Sequence, residues 1–358
     1  MRRVWQFLPT FYYGDAIGND CLAISRFLQE KGIDSHIGAK VIHPLLVKEG
    51  VAFEEAREQI REDDLIIYHL SVGDEMYNWF MSLPNKKAVI YHNVTPYRFF
   101  RKYSAAHILA TLLGRRQVEK MAGKVDLAIA DSEYNAGELE KMGFSDPKVV
   151  PILMPFEDYK KEPDEETVRK MSDGKTNILF VGRVAPNKCQ EDIIAVFAEL
   201  KKQHDIDARL ILAGSFGGME EYKARLDKYV EQLSLSEDVI FTGHISFSEI
   251  LAYYKTAHAF VIMSEHEGFC VPVVEAFLFG VPVLACDYGA IGETMGQAGI
   301  LLSSSKEPAR AASVLYRMLT DEAFRSEEKE RMKKEISRFD TKVVENLLWE
   351  VISPLIGD

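Results

Sequence analysis

The chain has 358 residues, 47% of them apolar and 27% charged, which is the balance of a soluble globular protein too long for one ordinary core. A net charge of −12 argues against general nucleic-acid binding, which needs a basic footprint, and no run of about 18 apolar residues offers a membrane span. The four cysteines, Cys21, Cys189, Cys270 and Cys286, are scattered without a CxxC pair, which fits a reducing compartment and gives no metal or disulfide signal.

The opening MRRVWQFLPTFYYGD reads as a first strand over 4–8 rather than a signal peptide, because Gln6 and Pro9 interrupt its apolar run. A loop over 9–18 carries Gly14 and Gly18. Helical spacing of Leu22, Ile24, Phe27 and Leu28 then predicts a helix over 19–31, closed by Gly32. Strand, glycine-bearing loop and helix open a nucleotide-binding type of fold. Further strands are predicted at 34–39, 64–69, 87–92, 126–130 and 148–152, and helices at 52–61, 73–81, 105–122 and 133–142.

The pattern restarts in the second half. Strands are predicted at 177–181, 209–213 and 238–242, with helices at 189–204, 219–233 and 246–255. Two successive α/β halves imply two doubly wound, Rossmann-like domains. The join falls near 150–176, where Pro151, Pro155, Pro163 and a charged run mark a linker. The boundaries are set at 1–155 and 156–340. The remaining 341–358 holds a helix, with Val343, Leu347, Leu348 and Val351 on one face, that is expected to pack back on the first domain.

The most informative stretch is 259–292. An apolar run over 259–263 fits a buried parallel strand, and a polar turn with Glu265, His266, Glu267 and Gly268 follows. Val271 and Pro272 then open a helix that Gly280 ends, before a second buried strand over 281–286. The start of that helix is a ready phosphate site, because its first N–H groups are unpaired and carry partial positive charge. Glu267 and Glu275 bracket it. A phosphate site flanked by acids suits a ligand with both phosphate and sugar hydroxyls, since one carboxylate can accept two hydroxyl bonds. Two surface glutamates near a helix start are the plainer alternative.

Three segments decide between these readings: NILFVGRVAPNKCQEDIIAVFAEL, FTGHISFSEILAYYKTAHAFVIMS and EGFCVPVVEAFLFGVPVLA, which span 177–302 in order. They resemble family 4 of the retaining glycosyltransferases, whose GT-B fold has two Rossmann-like domains facing across a cleft. The first half resembles the family through its glycine-bearing loop and YHNVTP at 91–96.

The resemblance implies a role for each candidate. Arg183 and Lys188 hold the donor's diphosphate, Arg as a planar fork and Lys as a point charge. Glu275 takes the ribose hydroxyls, and Glu267 contacts the transferred sugar beside the backbone of Phe269 and Cys270. Cys270 stands where the family usually has Gly. The backbone at Ile245 reads the base, Gly14 and Gly18 approach the diphosphate, and Asp15 and Asn19 contact the acceptor. His92 sits by the donor sugar as the family's cleft histidine, with His69 similarly placed at the end of an earlier strand. Glu267, His92, Arg183 and Lys188 are the expected catalytic set. The implied reaction moves a hexosyl unit from a nucleotide diphosphate sugar to a sugar or lipid-linked acceptor, with retention and without a protein general base or cofactor.

Asp205-Ile206-Asp207 matches a DxD metal–nucleotide signature of another glycosyltransferase fold. It falls between a predicted helix and strand, opposite the ligand edge, so it reads as a solvated turn, and no essential metal is expected. Residues 97–124 hold seven Lys and Arg against one acid, Glu119, interleaved with Phe99, Phe100, Leu109 and Leu113. This region predicts either docking on anionic lipid or an ordinary amphipathic helix with a basic outer face. The expected location is cytoplasmic, with possible peripheral contact at the inner face of a membrane. A non-hydrolysing sugar-nucleotide epimerase and a catalytically silent nucleotide-binding protein remain as alternatives.

Overall fold

The computed structural model describes residues 3–12 and 14–356; the first two residues, Tyr13 and the last two lie outside it. The chain divides into two compact units. The first comprises 1–98, 105–156 and 339–358, and the second 99–104 and 157–338.

The first unit runs β1 (Arg3–Phe11), α1 (Ala16–Glu30), β2 (Asp34–Ile42), β3 (Val51–Ala52), α2 (Phe53–Ala56), β4 (Leu65–Leu70), α3 (Met76–Ser82), β5 (Lys87–Tyr91), α4 (Ala105–Met121), β6 (Leu127–Ala130), α5 (Glu133–Lys141) and β7 (Lys148–Val149). Its strands form one parallel sheet in the order β3-β2-β1-β4-β5-β6-β7. Helices cover both faces of that sheet, so β4 is buried along its whole length and reads as a continuous apolar run. On one face Trp5, Phe7, Ile66, Tyr68, Val89 and Tyr91 pack together. On the other, Val4, Ile67 and Ile90 meet Ile24, Phe27 and Leu28 of α1.

The second unit runs α6 (Glu165–Met171), β8 (Thr176–Val181), α7 (Gln190–Gln203), β9 (Ala208–Ala213), α8 (Glu220–Gln232), β10 (Val239–Gly243), α9 (Phe247–Thr256), β11 (Ala259–Ile262), α10 (Val271–Leu278), β12 (Val283–Cys286), α11 (Ile291–Met295), β13 (Ile300–Leu302), α12 (Pro308–Thr320) and α13 (Glu322–Ile336). Its parallel sheet has the order β10-β9-β8-β11-β12-β13. The last helix, α14 (Thr341–Ile356), belongs to the first unit. Val344, Leu348, Ile352 and Ile356 pack there against the cluster around Val4 and Ile67.

Several elements differ from the sequence expectation. The helix expected at 52–61 shrinks to the single turn of α2. Arg3 donates to the Gln59 carbonyl at 2.6 Å and to Asp64 Oδ2 at 2.8 Å, while Arg61 N–H donates to the same carboxylate, which draws the chain out of helix. Within the linker, 165–171 is helical, capped by Asp164, whose carboxylate accepts the Thr167 N–H at 2.7 Å. Residues 287–340, for which periodicity makes no assignment, hold α11, β13, α12 and α13. In α13 the buried positions include Glu328 and Glu335 as well as Met332. Glu328 accepts from Gly299 N–H at 2.5 Å and from Arg331 at 2.8 Å, so this helix buries charge and lacks an apolar stripe.

Candidate functional site

In both sheets the strand order reverses beside the first strand, between β1 and β4 and between β8 and β11. Chains leaving the C-terminal ends of such strands diverge and open a crevice, where ligands of open α/β sheets bind.

In the second unit this point gathers most of the expected residues. Arg183 follows β8, is exposed, and donates to the Gly217 carbonyl at 3.3 Å. Lys188 ends a short 3-10 turn, Pro186–Lys188. Its ammonium lies 2.7 Å from both oxygens of Glu267, which follows β11. Glu267 is held from behind: its carbonyl accepts the Ala290 N–H at 3.0 Å. Gly289 makes this approach possible, because a Cβ there would lie 2.4 Å from the Glu267 carbonyl oxygen.

Phe269 and Cys270 are buried at the start of α10, where the Phe269 carbonyl accepts the Thr294 hydroxyl. Cys270 takes the left-handed conformation, φ 81° and ψ 60°. The backbone therefore keeps the shape that favours glycine, and cysteine bears the strain. Cys270→Gly is expected to be more stable than Cys270→Ala by about 1 kcal/mol in urea unfolding, the reverse of the usual helix ranking. Equal stabilities would show that the left-handed turn is not maintained. Burial, with the Glu267 charge second, pushes the Cys270 thiol well above its ordinary range, so it is no thiolate.

Glu275 lies one turn into α10 and is nearly buried. Each of its oxygens accepts one tyrosine hydroxyl, from Tyr159 at 2.9 Å and Tyr254 at 2.7 Å. Burial raises its pKa, and the two tyrosine bonds oppose that rise by favouring the carboxylate. Tyr159 packs edge-on against Phe247, at 5.3 Å between centroids. Ile245, half-buried, precedes Phe247 in the turn between β10 and α9. The two tyrosines escape sequence reasoning because they lie 116 and 21 residues from Glu275.

Asp205 and Asp207 are exposed and stand just before β9, at the N-terminal end of that strand. Among the described residues two clusters have the spacing of metal ligands: Cys189, Asp192 and Glu265, and Asp20, His69 and His92. In the first, Lys306 already sits 2.6 Å from Asp192 and 3.5 Å from Glu265, as an internal cation.

In the first unit, Gly14 is exposed and Gly18 is buried in the first turn of α1. A Cβ on Gly18 would lie 2.5 Å from the Tyr12 carbonyl oxygen, so the chain's own loop requires that glycine. Asp15 caps α1, its carboxylate accepting the Gly18 N–H at 3.4 Å. Asn19 is half-buried in the same turn. His92, just past β5, is buried, with Nδ1 2.9 Å from Asp131 Oδ2 and Nε2 2.8 Å from His69 Nδ1. Gln6, Asp20 and Asp131 complete this polar group. The available signal was Gln6, a polar residue inside an otherwise apolar strand.

A doubly wound parallel sheet makes each unit a Rossmann-like domain, the pair that the GT-B fold contains. Residues 162–338 match the family described as glycosyl transferases group 1. The D-inositol 3-phosphate glycosyltransferase of Frankia alni is 30% identical over 226 residues, 60% of this chain and 54% of that protein. The alpha-monoglucosyldiacylglycerol synthase of Streptococcus pneumoniae is 30% identical over 145 residues, 38% of this chain and 32% of that protein. Among solved structures, Anabaena HepE in complex with UDP-glucose matches with a TM-score of 0.78 over 99% of this chain and 100% of that one, at 17% identity. The chain spans about half the length of the curated relatives it matches. The family match falls within the second unit.

Proposed function

We propose that this chain is a retaining, metal-independent hexosyltransferase. It moves a hexosyl unit from a nucleotide diphosphate sugar to the hydroxyl of a sugar or lipid-linked acceptor, in cell-surface polysaccharide or glycolipid synthesis. The observation that carries the reading is the grouping of Arg183, Lys188, Glu267, the start of α10 and Glu275 at the reversal point of the second sheet.

The start of α10, Lys188 and the Arg183 guanidinium receive the diphosphate, where negative charge grows as the bond to the anomeric carbon breaks. Each Glu275 oxygen has a second lone pair beyond its tyrosine bond, enough for the two ribose hydroxyls. Glu267 lies by the anomeric carbon as that centre becomes oxocarbenium-like. The acceptor oxygen bonds to that carbon on the face the phosphate leaves, and its proton passes to the departing phosphate oxygen. No protein base enters this balance. In the first unit, Asp15 and Asn19 are assigned to the acceptor.

The test is thermal unfolding with UDP, GDP and ADP, each with and without EDTA. A ligand of the folded form at about 100 times its dissociation constant adds roughly 2.7 kcal/mol. A rise in Tm with one nucleotide, unchanged by EDTA and lost in Glu275→Ala, is expected. No rise with any nucleotide removes the proposal, and turnover of donor alone by C2 inversion points to an epimerase instead.

No helix among the described residues is long and apolar enough to cross a membrane. Contact with a membrane surface, if the acceptor is lipid-linked, is assigned to α4 within 97–124. Thr111, Gly114, Gln117, Val118 and Met121 face inward, leaving Leu109 and Leu113 exposed in one row with Arg116 and Lys120. Four free, buried cysteines suit the reducing, cytoplasmic side. Co-sedimentation with vesicles is expected to rise with anionic lipid and to fall in Arg116→Glu/Lys120→Glu. Equal pelleting with neutral vesicles would leave α4 an ordinary surface helix.

A further inference from the structure

A line of polar side chains runs through the interior of the first unit. Strand alternation puts Gln6, His69 and His92 on the face of the sheet that carries Val4, Ile67 and Ile90, beneath α1. Gln6 and His69 are 0% exposed, and the His92 and Asp131 side chains are 1% and 3% exposed. Water therefore does not supply their hydrogen bonds, and each polar atom must be matched by a neighbour.

The matches form one chain. Gln6 Nε2 donates to the Cys21 carbonyl at 3.0 Å. Gln6 Oε1 lies 2.9 Å from His69 Nε2, His69 Nδ1 lies 2.8 Å from His92 Nε2, and His92 Nδ1 lies 2.9 Å from Asp131 Oδ2. The two imidazole rings are 6° from parallel.

The proton count follows from the ends. A backbone carbonyl only accepts, so the Gln6 amide must turn its NH₂ to Cys21 and its oxygen to His69; the flipped amide would set two oxygens against each other. His69 must then carry its proton on Nε2. A neutral His69 leaves Nδ1 as an acceptor, so His92 must donate from Nε2. At its other nitrogen His92 faces a carboxylate, which also accepts. Both His92 nitrogens are thus required as donors. A proton on Asp131 would satisfy the same distances, but the imidazole is the stronger base and holds it. With His69 neutral and Asp131 ionised, a neutral His92 would oppose two lone pairs along the line.

We propose that Gln6, acting through His69, and Asp131 lock His92 as an imidazolium. Gln6, His69 and Asp131 are positioning residues. Under the transferase reading, on which this part rests, His92 contributes a standing positive charge and takes no proton from the acceptor. The charged groups that face it are Asp131 from the turn after β6, and Asp20 and Asp15 from α1, with His69 from β4. Burial alone would lower the His92 pKa, but the Asp131 charge and hydrogen bond, with Asp20 and Asp15, raise it. Burial and the neighbouring His92 lower that of His69, which stays neutral.

The experiment is nitrogen NMR of the histidine-labelled full chain without donor, with resonances assigned through His69→Gln and His92→Gln. Both His92 nitrogens are expected to be protonated from pH 6 to 8, and His69 only at Nε2. In Gln6→Met, His69 is free to carry its proton on Nδ1 and donate to His92, so His92 should become neutral within that range. Gln6→Glu, which restores an acceptor, should retain the imidazolium. A neutral His92 in the native chain at pH 7, or an imidazolium unchanged in Gln6→Met, would overturn the lock. Because this readout needs no nucleotide, loss of the transferase reading and loss of the lock are separate results. If both stand, Gln6→Met turnover falls toward alkaline pH relative to the native chain.

Discussion

Replacing Lys188 by methionine is expected to lower the transfer rate by a factor of about 10² to 10³, the usual loss on removing one preorganised partner of a leaving group's charge. The same change is expected to destabilise the chain by about 2–4 kcal/mol. Glu267 is only 8% exposed, and its carboxylate has Lys188 at 2.7 Å from both oxygens. Removing the lysine leaves that charge without its partner. The penalty falls toward the lower end because the Lys188 side chain keeps 23% exposure and water can reach the pair.

Glu267→Gln separates the two effects. In Lys188→Met/Glu267→Gln no uncompensated charge remains, so most of the lost stability should return. The rate should not, since neither residue then meets the donor's charge. Urea unfolding and steady-state kinetics on the four proteins measure both quantities. Recovery of the rate in the double variant would make Lys188 a structural counter-ion to Glu267 and nothing more.

That pairing shows where the sequence is legible and where it stops. The strands β1, β4, β8 and β11 announce themselves as short apolar runs because helices cover both sheet faces. Arg183, Lys188 and Glu267 stand out because each sits a few residues beyond such a strand, and Glu275 because it falls in the first turns of the helix that follows. The family resemblance implied phosphate for Lys188 and sugar for Glu267, and nothing in the sequence showed that the two form one ion pair, since 79 residues separate them. The tyrosines on Glu275, and Asp131 behind His92, are hidden for the same reason: tertiary hydrogen bonds leave no local period. Helix α13 was illegible for another cause. Glu328 and Glu335 occupy buried positions that a periodicity search reserves for apolar residues. Gly18 shows the converse, a residue whose type is legible but whose reason lies in the Tyr12 carbonyl beside it.

Asp20 gives the largest effect on pH dependence. It is buried beneath the first sheet, where its Oδ1 accepts the Leu153 N–H at 2.7 Å. Burial is the main cause that pushes its pKa up from the ordinary 3.8 to about 7; the Asp131 charge adds to this, while the His92 charge and the Leu153 bond offset part of it. An acid whose folded pKa lies above its unfolded one holds its proton longer in the folded state. Its contribution is therefore unpenalised below about pH 4 and is lost as pH rises to about 7. With each pH unit worth about 1.4 kcal/mol, the loss reaches at most about 4 kcal/mol. Asp20→Asn keeps the acceptor for Leu153 and has no charge to lose. Its stability should match the native chain at pH 4, exceed it increasingly up to pH 7, and hold a constant margin above that. Denaturant unfolding at intervals from pH 4 to 8 reads this difference directly, because the other carboxylates are common to both proteins and cancel. A margin that stays constant across the range would mean that Asp20 ionises as readily in the folded chain as in the unfolded one. The His92 charge, standing beside it, would then be compensating its burial completely.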